Sequence, residues 1–342
     1  MTVLTSYLGL TLICLFFISF ILIGIYKTIA LKFGLVSNSL VNEEHTSHKP
    51  IGAGIVFMLI WLAYVCYAYF NQHMFDQHIF FILVMPVVLI AIVSFCDDLF
   101  TIKPRWRFLA QFIAAITVII LLNGIPYLDF GLFHSHILWI NIILALLALI
   151  WSTNLFNFMD GIDGLAALQA CFMFTAGGIL LYLHGDYPLS LQALVLAATV
   201  FGFLLWNWPI AKIFMGDVGS TCLGFLFIVF CLIAQTKGIS ILLWFMLYEI
   251  FVIDTTLTLI RRVLRKESVH EGHTTFAFHR LHQTGWSNRK ILYGIISLDL
   301  IIAGLTFTAF IFPSTMFALI VVETALLLAV YLWIERRKPM FG

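Results

Sequence analysis

The residues best placed to do chemistry are acidic groups that border long apolar runs. Asp97 and Asp98 are adjacent at the end of one such run. Neighbouring carboxylates repel each other and are costly to desolvate, so a pair at a membrane boundary favours cation binding or proton transfer over a plain polar loop. Lys103, Arg105 and Arg107 follow closely and could contact phosphate oxygens. Taken alone, these three are better interpreted as membrane anchors.

A second polar segment, residues 154–166, reads N-L-F-N-F-M-D-G-I-D-G-L-A. Each step of three residues on a helix turns back by about 60°, so Asn154, Asn157 and Asp160 can share one face. The two glycines of the segment let the backbone turn and bring Asp163 towards that face. Amides beside carboxylates can recognise a polar heterocycle and hold a metal ion. A capping loop would explain one of the four polar residues, whereas all four together predict a binding site.

A third segment, residues 207–220, contains F-M-G-D-V-G-S, with Asp217 at the start of a long apolar run. Asp217 could simply cap the helix that begins there. The glycines on either side of it equally suit a close approach of the backbone to a phosphate group or metal ion at a helix N-terminus. The sequence leaves these two interpretations of Asp217 open.

A fourth segment, residues 261–289, combines arginines with four histidines, a composition that suits an anionic substrate. The histidines are His270, His273, His279 and His282. The spacing of His273, Phe276 and His279 would let them share a helical face. No cysteine lies in this segment to support a zinc site.

These segments require a scaffold that crosses a membrane. Of the 342 residues, 62% are hydrophobic and 10% are charged, which is too apolar for a soluble core. A bilayer span needs ~20 apolar residues, and runs of that length recur. We therefore predict an all-α integral membrane protein, one polytopic domain over residues 1–342, with eleven transmembrane helices and cytoplasmic active-site loops. The helices are predicted at 4–26, 51–70, 79–96, 108–122, 137–156, 164–183, 189–206, 218–236, 239–260, 290–312 and 314–334.

Basic residues orient this scaffold. With the N-terminus outside, 17 of the 18 Lys and Arg residues lie in inner segments and only Lys237 lies outside. This asymmetry follows the positive-inside rule and places the aspartates and the histidine-rich segment in the cytoplasm. A break at Pro313 gives the odd number of spans that brings the basic tail inside. A net charge of +1 gives no indication of a nucleic-acid partner.

The order of these motifs resembles the polyprenyl-phosphate N-acetylhexosamine-1-phosphate transferases, in particular the branch that initiates O-antigen. The resemblance runs from His48 to Lys290 and rests on the Asp97-Asp98 pair, the 154–166 block, F-M-G-D-V-G-S and the late histidines. It implies an enzyme of the bacterial inner membrane that uses Mg²⁺, with Mn²⁺ as the alternative ion. The donor would be a UDP-N-acetylhexosamine, the acceptor undecaprenyl phosphate and the nucleotide product UMP. A homodimer is left open.

The resemblance also implies roles for individual residues. The catalytic residues it implies are Asp97, Asp98, Asp160 and His273. The metal ligands it implies are Asp217 and Asp98. Together with the pattern of amides and glycines described above, it assigns substrate binding to Lys49, Asn154, Asn157, Gly161, Ile162, Asp163, Asn207 and Phe214.

The sequence departs from this family at two places, and two other classes compete with it. Phe276 stands where a second histidine is expected, and the segment from His48 to Gly54 is shorter than its family counterpart. A secondary transporter would place ionisable groups near the bilayer midplane. The acids within spans here form no shared pattern; they are Glu249, Asp254, Asp299 and Glu323. An aspartate-rich membrane prenyltransferase would carry D-x-x-D spacings within long helices, which are absent.

Overall fold

A computed structural model describes residues 2–36, 49–100, 102–125, 127–131, 133–267 and 274–341 of the chain. Within these ranges it contains twelve α-helices, a two-stranded hairpin and a short 3-10 turn at Pro313–Thr315. The first eight helices are α1 (Thr2–Lys32), α2 (Gly54–Phe70), α3 (Gln77–Phe100), α4 (Pro104–Leu121), α5 (Leu138–Met159), α6 (Leu165–His184), α7 (Tyr187–Asn207) and α8 (Asp217–Thr236). The last four are α9 (Ile241–Leu264), α10 (Ala277–Gln283), α11 (Asn288–Ile311) and α12 (Met316–Arg337). Strands β1 (Leu128–Asp129) and β2 (His134–Ser135) pair antiparallel.

The predicted fold class is confirmed: the protein is an all-α integral membrane protein. Among the described residues, ten helices are long and apolar enough to span a bilayer. An eleventh apolar helix, α2, has 17 residues, the short end of the range for a transmembrane helix, which is ~17–25. Each of the eleven predicted spans therefore has a helical counterpart. The remaining helix, α10, has seven residues and lies in the histidine-rich segment.

The helices form two compact units. Unit 1 consists of Met1–Tyr127 and His136–Lys237, and therefore contains α1 to α8. Unit 2 consists of Leu128–Ser135 and Gly238–Gly342, and contains the hairpin and α9 to α12. The single domain predicted from the sequence concerns the whole chain and stays a prediction.

Helix α8 occupies the interior of unit 1, where it packs against α2, α3, α5 and α6. Small residues allow these close approaches, as in other membrane helix pairs. A Cβ on Gly224 of α8 would overlap the Ser152 carbonyl of α5, and the Ser152 hydroxyl donates to the Gly224 carbonyl at 2.6 Å. On the α3 side, the hydroxyls of Ser94 and Thr221 are 2.9 Å apart. The N-terminus of α8, with Asp217, is thereby surrounded by the ends of α3 and α5.

Two boundaries differ from the prediction in ways that matter for the site. Helix α4 begins at Pro104 rather than at residue 108, because proline suits the first turn of a helix, where its missing N–H is not needed. Helix α5 continues to Met159 rather than to residue 156, so Asn157 is helical. Both extensions consist of polar or mixed sequence, which an apolar-run criterion excludes.

Candidate active site

Asp97 lies in the last turn of α3 and both of its carboxylate oxygens are engaged. Oδ1 accepts a hydrogen bond from the Ile102 amide at 2.6 Å, and Oδ2 is 2.7 Å from Nη1 of Arg107. The backbone turn between α3 and α4 and the first turn of α4 thus hold this carboxylate in one orientation.

Asp217 is the first residue of α8 and is not its N-cap. The N-cap is Gly216, with a φ of 79°, a conformation that favours glycine. The Asp217 side chain points instead towards α4 and α5. Its Oδ1 accepts from Nδ2 of Asn157 at 3.0 Å, and its Oδ2 is 3.3 Å from Nη2 of Arg107. The capping interpretation of Asp217 is therefore wrong.

Asp98 sits directly against the start of α8. Its Oδ1 accepts from the Asp217 amide at 3.1 Å, and the Val218 amide also acts on the carboxylate, while its buried Oδ2 has no donor within hydrogen-bond geometry among the described residues. A Cβ on Gly216 would come within 3.0 Å of that Oδ2, so glycine leaves room for the carboxylate. Burying a carboxylate oxygen without a hydrogen-bond donor costs free energy unless a cation or a proton binds to it.

Arg107 belongs to the site, and the interpretation of this residue as a membrane anchor is wrong. One guanidinium bridges the carboxylates of Asp97 and Asp217, which come from different helices. Once α4 is known to begin at Pro104, Arg107 and Gln111 lie one turn apart on the same face. Gln111 exchanges side-chain hydrogen bonds with Asn154 of α5, at 2.7 and 3.3 Å. The polar Arg107-x-x-x-Gln111 stripe was the signal that could have identified this face.

The 154–166 block brings its polar residues to the site in two different ways. Asn157 donates to Asp217 and also to the Ser220 hydroxyl at 2.9 Å. Asn154, one turn earlier, uses both ends of its amide with Gln111 and Nδ2 also with the Ile150 carbonyl. Asn157 therefore helps to hold Asp217, whereas Asn154 joins α5 to α4.

Asp160 follows the last residue of α5 and lies in a strongly negative environment. Although part of the residue surface is exposed, its carboxyl group is enclosed by protein atoms. This burial raises the pKa of Asp160 well above its ordinary value, and neighbouring carboxylates raise it further. Those carboxylates belong to Asp217, Asp163 and Asp98. Four of the five predicted aspartates thus act on one another electrostatically, and Arg107 joins the fifth, Asp97, to them.

The segment after α7 is tied to the glycine turn that precedes α6. Asn207 accepts from the Gly164 amide and donates to the Ile213 carbonyl, both at 2.9 Å. Oδ2 of Asp163 accepts from the Ala211 amide at 2.9 Å. The turn that brings Asp163 back occurs at Gly164, where φ is 82°. Of the remaining residues in that turn, Gly161 is exposed and Ile162 is half-buried.

Lys49 and Phe214 are brought together by backbone pairing. The Phe214 amide donates to the Pro50 carbonyl at 2.9 Å, and the Ala53 amide donates to the Phe214 carbonyl at 3.2 Å. Nζ of Lys49 consequently lies 5.3 Å from the centre of the Phe214 ring. Both residues are half-buried, and a cation over an aromatic ring can contact a base and a phosphate of one nucleotide.

The glycines around Asp217 allow another backbone segment to pack closely against the start of α8, a contact that the sequence did not indicate. A Cβ on Gly216 would be 2.9 Å from Cα of Gly52, and one on Gly219 would be 2.9 Å from Cα of Gly54. The close approach that the structure shows is between two protein backbones, and an approach to a phosphate or metal stays a prediction. The effect of the backbone contact is to fix the start of α8 against the segment that carries Lys49.

Unit 2 contains the histidine-rich segment, of which His273 and His270 lie outside the described residues. Helix α10 begins just after Phe276, which is its extended N-cap, and the Phe276 and His279 rings stack with centroids 6.0 Å apart. These two residues therefore lie side by side, as predicted, although Phe276 is not itself helical. Both carboxylate oxygens of Asp254 accept from the Ala277 amide, at 2.8 and 3.0 Å, and so cap α10. The His279 ring packs against Phe278 with centroids 4.1 Å apart.

The far side of α10 is anchored to the C-terminal tail. The buried Arg280 contacts Glu335 and donates to the Lys338 carbonyl at 3.1 Å. Arg261 of α9 binds both oxygens of Glu335, at 2.7 and 2.8 Å. A bidentate arginine and a buried arginine on one carboxylate make this connection strong and directional.

Two acids within the spans of unit 2 form a pair, contrary to the sequence-based interpretation. Glu249 of α9 and Glu323 of α12 are buried and close enough to act on each other electrostatically, and Thr324 donates to Glu249. This pair lies on two helices that pack together. A transporter site would instead lie at a break in a helix.

Five of the aspartates of unit 1 form an acidic surface, on which the Arg107 guanidinium bridges two carboxylates. Among the described residues, no three side chains of His, Cys, Asp or Glu are close enough to form a complete metal cage. Mg²⁺ does not require one, since it is usually held by one or two carboxylates together with water and substrate phosphates. Asp98, with its orphaned Oδ2, and the adjacent Asp217 fit such a site.

Comparison with known proteins gives consistent results. The sequence profile described as glycosyl transferase family 4 matches residues 80–235, the part of the chain that carries all five aspartates. The chain is 28% identical over 306 residues to an undecaprenyl-phosphate alpha-N-acetylglucosaminyl 1-phosphate transferase of Yersinia pestis, covering 85% of this chain and 80% of that protein. An Escherichia coli K12 protein of the same name is 26% identical over 292 residues, 82% of this chain and 77% of that one. A Bacillus subtilis protein named probable undecaprenyl-phosphate N-acetylglucosaminyl 1-phosphate transferase is 26% identical over 277 residues, 79% of this chain and 75% of that one.

Proposed function

We propose that the chain, which matches the profile of glycosyl transferase family 4 over residues 80–235, transfers N-acetylhexosamine 1-phosphate from a UDP-linked donor to undecaprenyl phosphate. The products are undecaprenyl-diphospho-N-acetylhexosamine and UMP. The reaction takes place at the cytoplasmic face of the bacterial inner membrane and begins the assembly of a cell-envelope glycan such as O-antigen.

The observation that carries this proposal is the convergence of acidic residues and Arg107 at the end of a membrane helix bundle. Donor and acceptor each bring phosphate groups whose mutual repulsion must be offset before they can react. Phosphoryl transfer depends mostly on positioning and on charge neutralisation. A site with carboxylates for a cation, one fixed guanidinium and a membrane boundary suits the meeting of a soluble diphosphate with a lipid phosphate.

Asp217 and Asp98 are the residues proposed to hold Mg²⁺, or Mn²⁺ as the alternative ion, in agreement with the orphaned oxygen of Asp98. The ion, when bound, neutralises the diphosphate and polarises its phosphorus–oxygen bonds. Asn157 holds the Asp217 carboxylate from the other side. Asp160 and Asp163 extend the acidic surface towards the segment that follows α7.

Attack by an oxygen of the lipid phosphate on the sugar-proximal phosphorus would form the new diphosphate and break the bond to UMP. A phosphate monoester is largely ionised at pH 7, because its second pKa is about 6, so no strong base is needed. Both oxygens of Asp97 are occupied by Ile102 and Arg107. We therefore assign Asp97 an orienting role, in which it aligns the Arg107 guanidinium with the phosphates.

Donor recognition is assigned to residues on both sides of the acidic surface. Phe214 and Lys49 are positioned to stack on a base and to contact a phosphate. Asn207 and Asn154 contribute by holding the turn and the helix that frame this region. Gly161 and Ile162 lie at the open turn between α5 and α6, where a ligand can approach the backbone closely. His273 is assigned a role in catalysis on the strength of the sequence resemblance alone.

The proposal is tested by incubating membranes that contain the protein with labelled UDP-N-acetylhexosamines and undecaprenyl phosphate. Label is expected to move into the lipid fraction. A panel of donors, including 6-deoxy sugars, would identify the preferred sugar. A transporter would move label across the membrane without incorporating it into lipid, and a prenyltransferase would leave the nucleotide sugar intact; either result would reject the proposal.

The orientation of the chain gives a separate prediction. With 17 of 18 basic residues on one side, a reporter fused after Gly342 should be active only in the cytoplasm. A fusion placed at Lys237, the one basic residue predicted to lie outside, should give the opposite result and serves as the matched control. A periplasmic signal from the C-terminal fusion would overturn the eleven-span topology.

A further inference from the structure

Two lysine side chains lie against one indole ring of unit 1. Nζ of Lys27, in α1, lies 5.1 Å from the centroid of the Trp206 ring. Nζ of Lys212, in the segment that follows α7, lies 5.5 Å from the same centroid. Two positive charges therefore lie against the same indole ring, although like charges repel.

The indole is held rigidly, so the convergence does not depend on a loose aromatic side chain. Nε1 of Trp206 donates to the Phe20 carbonyl at 2.9 Å, and the two rings stack with centroids 5.2 Å apart. A Cβ on Gly24 would come within 2.9 Å of the indole, so the glycine lets the ring lie against α1. The Lys212 amide donates to the Trp206 carbonyl at 2.8 Å, which fixes the second lysine to the same platform.

Neither ammonium group has a compensating carboxylate among the described residues. No Asp or Glu oxygen within that part of the chain lies within 4.0 Å of Lys27 or Lys212. Lys237, on the predicted outer side, by contrast pairs with Asp186. Two uncompensated cations on one platform attract an anion, and lysine binds phosphate as a flexible point charge.

The apolar residues near the two lysines suit a lipid ligand better than a soluble anion. Ile25 and Ile29 flank Lys27 on α1 and are 51% and 46% exposed, and Leu205 beside Trp206 is 46% exposed. Exposed apolar side chains of a membrane helix contact acyl or prenyl chains. A ligand with a phosphate head and an apolar chain would satisfy both parts of this surface.

Charge favours a phosphomonoester over an ordinary phospholipid. A phosphomonoester carries about −1.5 to −2 charges at pH 7, whereas a phosphodiester has lost the second ionisable group and carries about −1. The two ammonium groups, which have no carboxylate partner in the part of the chain that the structure describes, match the former. We infer that Lys27, Lys212 and Trp206 form a docking site for the phosphate head of the acceptor lipid.

This inference rests on the proposed function and adds an entry position to it. The platform and the metal-binding aspartate are at opposite ends of one segment, from Trp206 to Asp217. That segment is held at its middle by the Asp163 contact to Ala211 and by Asn207. A lipid phosphate held by Lys27 and Lys212 would thus be concentrated beside the chain that leads to the acidic surface, before it meets the donor.

The test compares Lys27→Gln/Lys212→Gln with wild type in phosphatidylcholine nanodiscs that contain undecaprenyl phosphate. Each lysine near an anionic head should contribute about a fivefold effect, so the double variant should raise the KM for undecaprenyl phosphate about 25-fold. The kcat and the KM for the UDP-sugar should stay unchanged. Lys27→Arg/Lys212→Arg should restore most of the loss. Lys32→Gln, at the exposed end of α1 and without a cation–π contact to this indole among the described residues, is the matched control and should resemble wild type.

A binding measurement separates this inference from the proposed reaction. Native mass spectrometry of the full chain with undecaprenyl phosphate, and with no nucleotide sugar present, should show lipid phosphate retained by wild type and by Lys32→Gln. The double variant should lose it. If wild type retains the lipid in this lysine-dependent way but transfers no sugar, the docking site stands and the proposed reaction fails.

Three results would overturn the docking site. One is a double variant that behaves like Lys32→Gln in both measurements. Another is an equal rise in the KM for the lipid and for the UDP-sugar, which would indicate a general defect. The third is displacement of undecaprenyl phosphate by equimolar phosphatidylglycerol, which would mean that the lysines bind bulk anionic lipid.

Discussion

Replacing Asp217 with asparagine is expected to lower kcat by about 10³-fold or more while the protein remains folded. Loss of a metal-held charge interaction of several kcal/mol corresponds to a rate change of that order. Asparagine keeps the size of the side chain and can still pair with Asn157 after rotation of its amide. The backbone contact from residue 217 to Asp98 is retained. The measurement is steady-state transfer of labelled sugar into lipid across a range of Mg²⁺ concentrations.

The control for this variant is Asp186→Asn. Asp186 is another aspartate at a helix N-terminus of unit 1, where it caps α7 by accepting from the Leu189 amide at 3.2 Å. Asparagine is an equally good N-cap, and although it removes the ion pair with Lys237, this change should leave turnover intact. Near-normal turnover by Asp217→Asn at saturating Mg²⁺ would show that Asp217 has no essential part in metal binding.

Replacing Arg107 with glutamine is expected to lower kcat by about 10² to 10³-fold, the usual cost of losing one fixed electrostatic donor at a reacting group. The guanidinium bridges Asp97 and Asp217, at 2.7 and 3.3 Å, and its loss leaves two carboxylates facing each other. Arg107→Lys should recover only part of the activity, because an ammonium group cannot make two parallel directed contacts.

Arg105→Gln is the matched control for Arg107, since it lies two residues earlier on α4. Its guanidinium is exposed and lies 5.6 Å from the Trp106 ring rather than at the acidic surface. If Arg105→Gln and Arg107→Gln lose the same small amount of activity, then both residues are membrane anchors. That outcome would contradict the role assigned to Arg107.

Apolar run length predicted the positions of the eleven long helices because the thickness of a bilayer imposes a minimum length on each span. Because successive spans place the loops between them alternately inside and outside, the predicted spans also placed the five aspartates on one side of the membrane. Their mutual proximity in the structure agrees with that placement, as the interactions of Asp160 with Asp98 and Asp217 show. Local sequence and the thickness of the bilayer were enough to predict the helix positions and the common side of the aspartates.

Other features depend on contacts that leave no periodic trace in the sequence. Arg107 was misinterpreted because the polar first turn of α4 is invisible to a hydrophobicity criterion. The approach of Gly52 to Gly216 joins segments more than 160 residues apart, and nothing in either glycine indicates its partner. The pairing of Glu249 with Glu323 depends on how two helices are rotated about their axes, which run length does not determine.

The nucleotide product tests the proposed reaction most directly. Attack of the lipid phosphate on the donor phosphorus breaks one phosphoanhydride and forms another, so the equilibrium should lie near unity and the reaction should be reversible. Membranes loaded with the lipid product should regenerate UDP-sugar when UMP is added, and labelled UMP should exchange into the donor pool. Asp217→Asn should abolish this exchange and Asp186→Asn should preserve it. If UDP is the sole nucleotide product and UMP drives no reversal, sugar is being transferred at its anomeric carbon, and the protein is not a phosphosugar transferase even though sugar reaches the lipid.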